Sequence, residues 1–145
     1  HVERMGYSMD RLGLTLPDDI PPLDAIADDH SPYTYEEKTV AFGDAPPGAI
    51  GLELAFAALW QRFVVPGTWT ALELLQAISS RPAQILGHPA PKIAARAPVE
   101  AFLFDPEQIW TVDRRTLRSP ARNTPFWQRS QQCRVLQTWN HAAAP

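Results

Sequence analysis

At 145 residues, with 45% apolar side chains, the chain is long enough to bury one core and too apolar to remain disordered. A net charge of -3 gives no reason to invoke nucleic acid or a membrane as partner. The single cysteine, Cys133, excludes an internal disulfide framework and fits a reducing, cytoplasmic compartment. Its 15 prolines are about twice the usual share and predict many short elements joined by ordered loops. No stretch reaches the ~18 apolar residues that a membrane-spanning helix needs. The start, His1 to Gly13, has no signal-like design, and a chain that opens on His1 reads as a fragment, a processed chain or an incomplete frame.

In chain order, residues 1–22 are an unplaced segment. Met5, Met9, Leu12 and Leu16 fall at rough helical spacing, but Gly6, Gly13 and Pro17 interrupt it. Leu23 to Ala27 reads as a short buried strand that ends in Asp28, Asp29 and His30. A polar loop over 28–50 closes on the turn Ala45-Pro46-Pro47-Gly48, and a loop of that length in a compact domain is usually functional. Leu52, Phe56, Leu59 and Phe63 then predict a helix buried on most sides. Ala71, Leu74, Leu75 and Ile78 predict a second, opened by a capping box of Thr70 and Glu73. Pro82 suits the first turn of a short third helix and Gly87 its end. Beyond Gly87 the period changes. Ala101 to Phe104, Ile109 to Val112 and Arg134 to Trp139 read as strands, with Cys133 a small buried hydrophobe beside them. The tail from Ala142 to Pro145 is expected to fray.

Charge is uneven: residues 1–53 carry 11 acidic and 3 basic groups, and residues 54–145 carry 5 and 10. Arg114, Arg115, Arg118, Arg122, Arg129 and Arg134 follow one another without an acid, with Phe126 and Trp127 between them. Such a run can bind RNA or phosphates. The plainer reading is that these arginines solvate loops between strands, and no ribonucleoprotein signature or phosphate loop speaks for more.

Asp29 carries the chemical interest. A carboxylate at a strand end can ligate a divalent metal and move a proton, and His30 beside it could bind metal or substrate. Equally, Asp28 or Asp29 can cap the turn before Ser31 and Pro32. There is no HxH pair, no HExxH and no CxxC.

Five strings, DAIADDHSPYTYEEK, APPGAIGLELA, ISSRPAQILG, FLFDPEQIWTV and NTPFWQRSQQCRVLQTW, together resemble the C-terminal part of bacterial dihydroorotases, in the amidohydrolase superfamily and especially the cyanobacterial forms. The resemblance covers about residues 23–139. It implies an α/β fold: the last strand and helices of a (β/α)8 barrel over 23–87, then strands of a small β-sandwich subdomain over 88–145. It implies reversible hydrolysis of the cyclic amide of dihydroorotate, giving carbamoyl aspartate, in pyrimidine biosynthesis. Asp29 matches the family's acid–base and zinc-contacting aspartate. Tyr33 stands where a substrate-holding histidine is usual, and Pro47 and Gly48 match the substrate-contacting backbone. Glu36, Glu37 and Lys38 match as loop structure, and Glu53 reads as a helix-dipole residue.

The family's zinc centre needs further histidines and a lysine that this chain does not offer, since only His1, His30, His88 and His141 exist. The expectation is therefore an incomplete, inactive portion. The alternative is a catalytically dead structural partner of aspartate transcarbamoylase; the partners expected are that enzyme or further copies of the chain in a homo-oligomer. A lone barrel strand would also leave an open edge, so the chain by itself is expected to be poorly soluble or to associate.

Overall fold

The computed structural model describes residues 25–89, 93–96 and 99–140. Within them the chain divides into two compact units. One takes residues 28–56 and 111–130, and the other residues 25–27, 57–110 and 131–140. The segment 1–22 and the tail 142–145 lie outside the described residues, as does Leu23.

Helices build most of the second unit. α2 begins at Ala55–Leu59 and runs on as a wide π-helical turn, Trp60–Val64, closed by the Val65 N–H donating to the Trp60 carbonyl at 3.0 Å. α3 starts at Ala71–Leu75, widens to a π-helical turn at Gln76–Ser80 and continues through Arg81–Ile85. Leu75, Gln76, Ser80 and Arg81 all keep right-handed helical conformation, so the second and third helices expected from the sequence are one. Pro82 sits inside this helix. The wide turn before it supplies the physical reason: an extra residue in the turn relieves the clash a proline ring makes with the carbonyl four residues back. Gly87 ends α3 at φ 71°, with its N–H on the Gln84 carbonyl and the His88 N–H on the Ala83 carbonyl. This is the paired bonding of a glycine-terminated helix.

The buried face also differs from the expected one. Leu52 is 70% exposed and precedes α2, whereas Ala57 and Trp60 are buried. In α3 the buried positions are Leu74 and Ala77. The expected stripe through Leu52, Phe56, Leu59 and Phe63 assumed one unbroken helix, whereas α2 begins only at Ala55 and its π turn breaks the 3.6-residue period before Phe63.

Two strands follow, β1 (Ala101–Thr111) and β2 (Ser130–Trp139), paired in one antiparallel sheet. The two short strands expected at 101–104 and 109–112 are a single strand passing through Pro106. The Asp105 carboxylate takes the N–H groups of Glu107 and Gln108 at 2.9 and 3.2 Å, which satisfies donors where the proline interrupts the ladder. Trp60 meets Phe104 edge to face at 5.3 Å. Cys133 is fully buried at φ 75°, and its carbonyl accepts from Trp110 Nε1 at 3.0 Å. Among the described residues the β-rich part is this two-stranded sheet; a sandwich would need a second layer.

The expected strand over 23–27 is not formed by its described residues. Ala25 and Ala27 are exposed, and the Ile26 N–H donates to the Ala77 carbonyl at 2.9 Å. A parallel barrel strand needs hydrogen-bonding neighbours along its edges. In its place the first unit has one isolated parallel bridge, His30 with Ala49.

Candidate functional site

The first unit is built of loops, so side chains must satisfy much of its backbone. Thr34 and Glu37 form a capping box that opens α1 (Tyr35–Lys38), with Thr34 N–H on Glu37 Oε2 at 2.7 Å. These two backbone and hydroxyl donors hold the Glu37 carboxyl below its ordinary value. α1 aims Lys38 back at the loop. Its Nζ donates to the carbonyls of Pro46 and Gly48, the latter at 2.9 Å, and lies 4.6 Å from the centre of the Tyr33 ring. Partial burial pushes the Lys38 pKa down, and Glu37 opposes that.

From the long loop between the strands, Asn123 reaches the same place. Its Nδ2 donates to the Ser31 carbonyl at 2.8 Å and to the Gly48 carbonyl at 3.3 Å, and its Oδ1 accepts from the Tyr33 N–H at 3.2 Å. Its own carbonyl accepts from the Ile50 N–H at 3.1 Å. The Ser31 N–H completes the cluster on the Ala49 carbonyl at 2.9 Å.

Of the residues singled out in the sequence, Tyr33 and Gly48 come together here. Gly48 has φ 112°, and a Cβ on it would lie 2.4 Å from Ser31 Cβ and 3.6 Å from Tyr33 Cε2. Only glycine fits this approach. Both lone pairs of its carbonyl are engaged by Lys38 and Asn123, which leaves its N–H as the polar group free of an internal partner among the described residues. Pro47 is exposed, with no N–H and only a carbonyl to offer. Asp29 is exposed as well, and its Oδ1 accepts from Ser31 Oγ at 3.3 Å.

His30 faces a different partner. Its Nδ1 accepts from the N–H groups of Gly51 and Leu52, both at 3.3 Å, where the chain turns into α2. Asp28 packs on the same turn, for a Cβ on Gly51 would come within 2.0 Å of its Oδ1. Glu53 lies before the first turn of α2 instead of in it, and its carboxylate takes the N–H groups of Arg118 and Ser119 at 2.7 and 2.8 Å. Asn123 and Glu53 act across 65 residues or more, and no local spacing announces such bonds.

Among the described residues, no three ligating side chains gather into a possible metal site. The arginines 114, 115, 118, 122 and 129 are exposed on the loop between β1 and β2. Arg114, Arg118, Arg122 and Trp127 border an open cavity of about 300 Å³, with the Arg122 guanidinium 5.6 Å from the Trp127 ring. No helix among the described residues is long and apolar enough to cross a membrane.

No family model matches the chain. It is 42% identical over 132 residues to the probable dihydroorotase-like protein of Synechocystis sp., covering 91% of this chain and 29% of that protein. Against the dihydroorotase of Bacillus caldolyticus it is 38% identical over 104 residues, 72% of this chain and 24% of that protein. The dihydroorotase of Bacillus subtilis is 36% identical over the same length. In structure the chain is similar to a D-hydantoinase, with TM-score 0.69 and 16% identity over 81% of this chain and 27% of that one. At that identity the likeness speaks for the fold alone. The chain thus spans about a quarter of the length of the relatives it matches, 29% of the Synechocystis protein and 24% of the Bacillus caldolyticus one.

Proposed function

Because the chain belongs with the dihydroorotases and dihydroorotase-like proteins, we propose that it is the C-terminal part of such an enzyme. The complete polypeptide would hydrolyse the cyclic amide of dihydroorotate reversibly to carbamoyl aspartate, as a cytoplasmic step of pyrimidine biosynthesis. The observation that carries this is the loop cluster itself. Asp29 stands exposed with its carboxylate on Ser31 Oγ, and Ser31 in turn lies against Gly48, whose approach to Tyr33 and whose N–H without an internal partner among the described residues complete the cluster.

In this reading Asp29 takes a proton from the water that adds to the ring carbonyl and, as the carbon–nitrogen bond breaks, returns it to the departing amide nitrogen. Ser31 Oγ orients the carboxylate through its hydrogen bond. Tyr33 and the Gly48 N–H hold the ring. Zinc, implied by the family resemblance, does not fit the described residues alone. His30 Nδ1 already accepts two backbone donors, and among the described residues no three ligating side chains converge on one point. The chain is therefore inactive by itself and contributes one wall of a site.

The test is turnover of dihydroorotate by the complete polypeptide and by its Asp29→Asn variant. Loss of roughly a thousandfold in kcat, the scale of general acid–base catalysis, is the expected result. An inert complete polypeptide, or an unchanged variant, overturns the reading. Inertness together with stable binding to aspartate transcarbamoylase would instead favour the structural-partner role.

A further inference from the structure

We propose that Asn123 and Lys38 are positioning residues for this site: together they clamp the 29–33 loop to the 45–48 turn and so fix Asp29, Tyr33 and the Gly48 N–H in one arrangement. The proposal rests on the reading of that cluster as an acid–base and substrate-contacting wall.

Three observations carry it. First, the Asn123 amide has one self-consistent orientation. Its two carbonyl partners, Ser31 and Gly48, demand the nitrogen, and its N–H partner, Tyr33, demands the oxygen. One planar side chain thus fixes the spacing of both segments that present the candidate contacts. Second, the Gly48 carbonyl is held from two sides, by Lys38 Nζ and by Asn123 Nδ2. The Pro46 and Gly48 carbonyls, both held by Lys38, lie in the peptide planes on either side of the one that joins Pro47 to Gly48, so gripping both limits how far the Gly48 N–H can swing. Third, neither clamp residue offers itself to substrate. The three Asn123 side-chain bonds go to main-chain groups of the loop and turn, and the Lys38 ammonium is occupied by two carbonyls and the face of the Tyr33 ring. The segments they join have no sheet or helix to hold them in register, only the single bridge of His30 with Ala49. Displacing a reacting group by about 1 Å costs on the order of 100-fold in rate, so a clamp of this kind is felt in kcat.

The experiment compares Asn123→Ala, Asn123→Asp, Lys38→Met and Lys38→Arg in the complete polypeptide. It measures kcat and KM for dihydroorotate together with amide hydrogen exchange at Ser31, Tyr33 and Ile50. Asn123→Ala is expected to lower kcat about 100-fold per folded molecule and to deprotect the Tyr33 and Ser31 amides. Asn123→Asp keeps the acceptor for Tyr33 but loses both donors, so Tyr33 stays protected while kcat still falls. Lys38→Arg should recover more of the rate than Lys38→Met. If Asn123→Ala does not fold, the near-isosteric Asn123→Asp decides. A purely structural role would lower the folded fraction and leave kcat per folded molecule within twofold of the parent, which overturns the proposal. A parent that never turns over dihydroorotate is a different failure: it removes the reading of the site, and the proposal with it.

Discussion

The same capping box opens a helix in each unit, and the two helices fare differently. Thr34 and Glu37 start α1, which ends four residues later at Lys38 with no buried side chain. Thr70 and Glu73 start α3, which runs on to Ile85 with Leu74 and Ala77 fully buried. The hydrogen bonds are alike, Thr70 N–H to Glu73 Oε2 at 2.7 Å and Thr34 N–H to Glu37 Oε2 at 2.7 Å. A cap therefore sets where a helix begins, and burial of an apolar face sets how far it goes. α1 has no such face, and its unit, which buries Ile50, Leu54 and Val112 elsewhere, adds side chains bonded to distant backbone: Asn123, Lys38, His30 and Glu53.

The contrast can be broken most forcefully at Leu74. Leu74→Ala is expected to cost about 3 kcal/mol, the scale for emptying a filled core site, as read by urea unfolding with far-ultraviolet circular dichroism. A cost under ~1 kcal/mol would mean that α3 does not depend on its buried face.

Next comes Gly48→Ala. Left-handed backbone together with the Ser31 Cβ at 2.4 Å should cost about 2 kcal/mol. Gly67 has φ 78° and nothing within 4 Å of a Cβ, so Gly67→Ala should cost about 1 kcal/mol, for backbone alone. Equal costs at the two glycines would show that the tight approach to Ser31 is not maintained in solution.

The two caps give the third test. Thr70→Ala should lower stability by about 1 kcal/mol. Thr34→Ala should erase α1, seen as faster amide exchange at Glu37, while the urea midpoint hardly moves. Acid should reproduce both effects. The Glu73 carboxyl is held below its ordinary value by the Thr70 N–H first and the Thr70 hydroxyl second. A lowered folded value stabilises at neutral pH, and that stabilisation is lost as pH falls through it. Helical signal in the parent should thus decline with acid earlier than in a Glu73→Gln variant. Identical acid profiles would dismiss the ionised cap.

The smallest effect concerns Cys133. Burial, with Asp105 adding to it, pushes the thiol up to about 11. A raised folded value means that this contribution is complete below the ordinary thiol range and is lost as pH rises through about 11. At pH 8 alkylation should run at least about 100-fold slower in the folded protein than in urea. Equal rates would place the thiol at the surface.

Local chemistry was legible in the sequence for plain reasons. The Thr70–Glu73 box, the Gly87 stop and the buried Cys133 depend on neighbours within a few residues or on apolar character, and the structure has all three. The Thr34–Glu37 box has the same signature, Thr-x-x-Glu, and no apolar run behind it to draw attention. Family membership was legible too, because ordered strings of residues survive in sequence whatever the surrounding fold. The tertiary structure alone decided the rest. α2 starts only at Ala55, so Leu52 lies outside it while Ala57 and Trp60 are buried, and residues 25–27 find no strand neighbours. Asn123 reaches Ser31 across 92 residues, and the physical reason it stayed hidden is general. A side chain bonding to distant main-chain groups is selected by where the chain folds back, and carries no period, spacing or charge that the linear sequence displays.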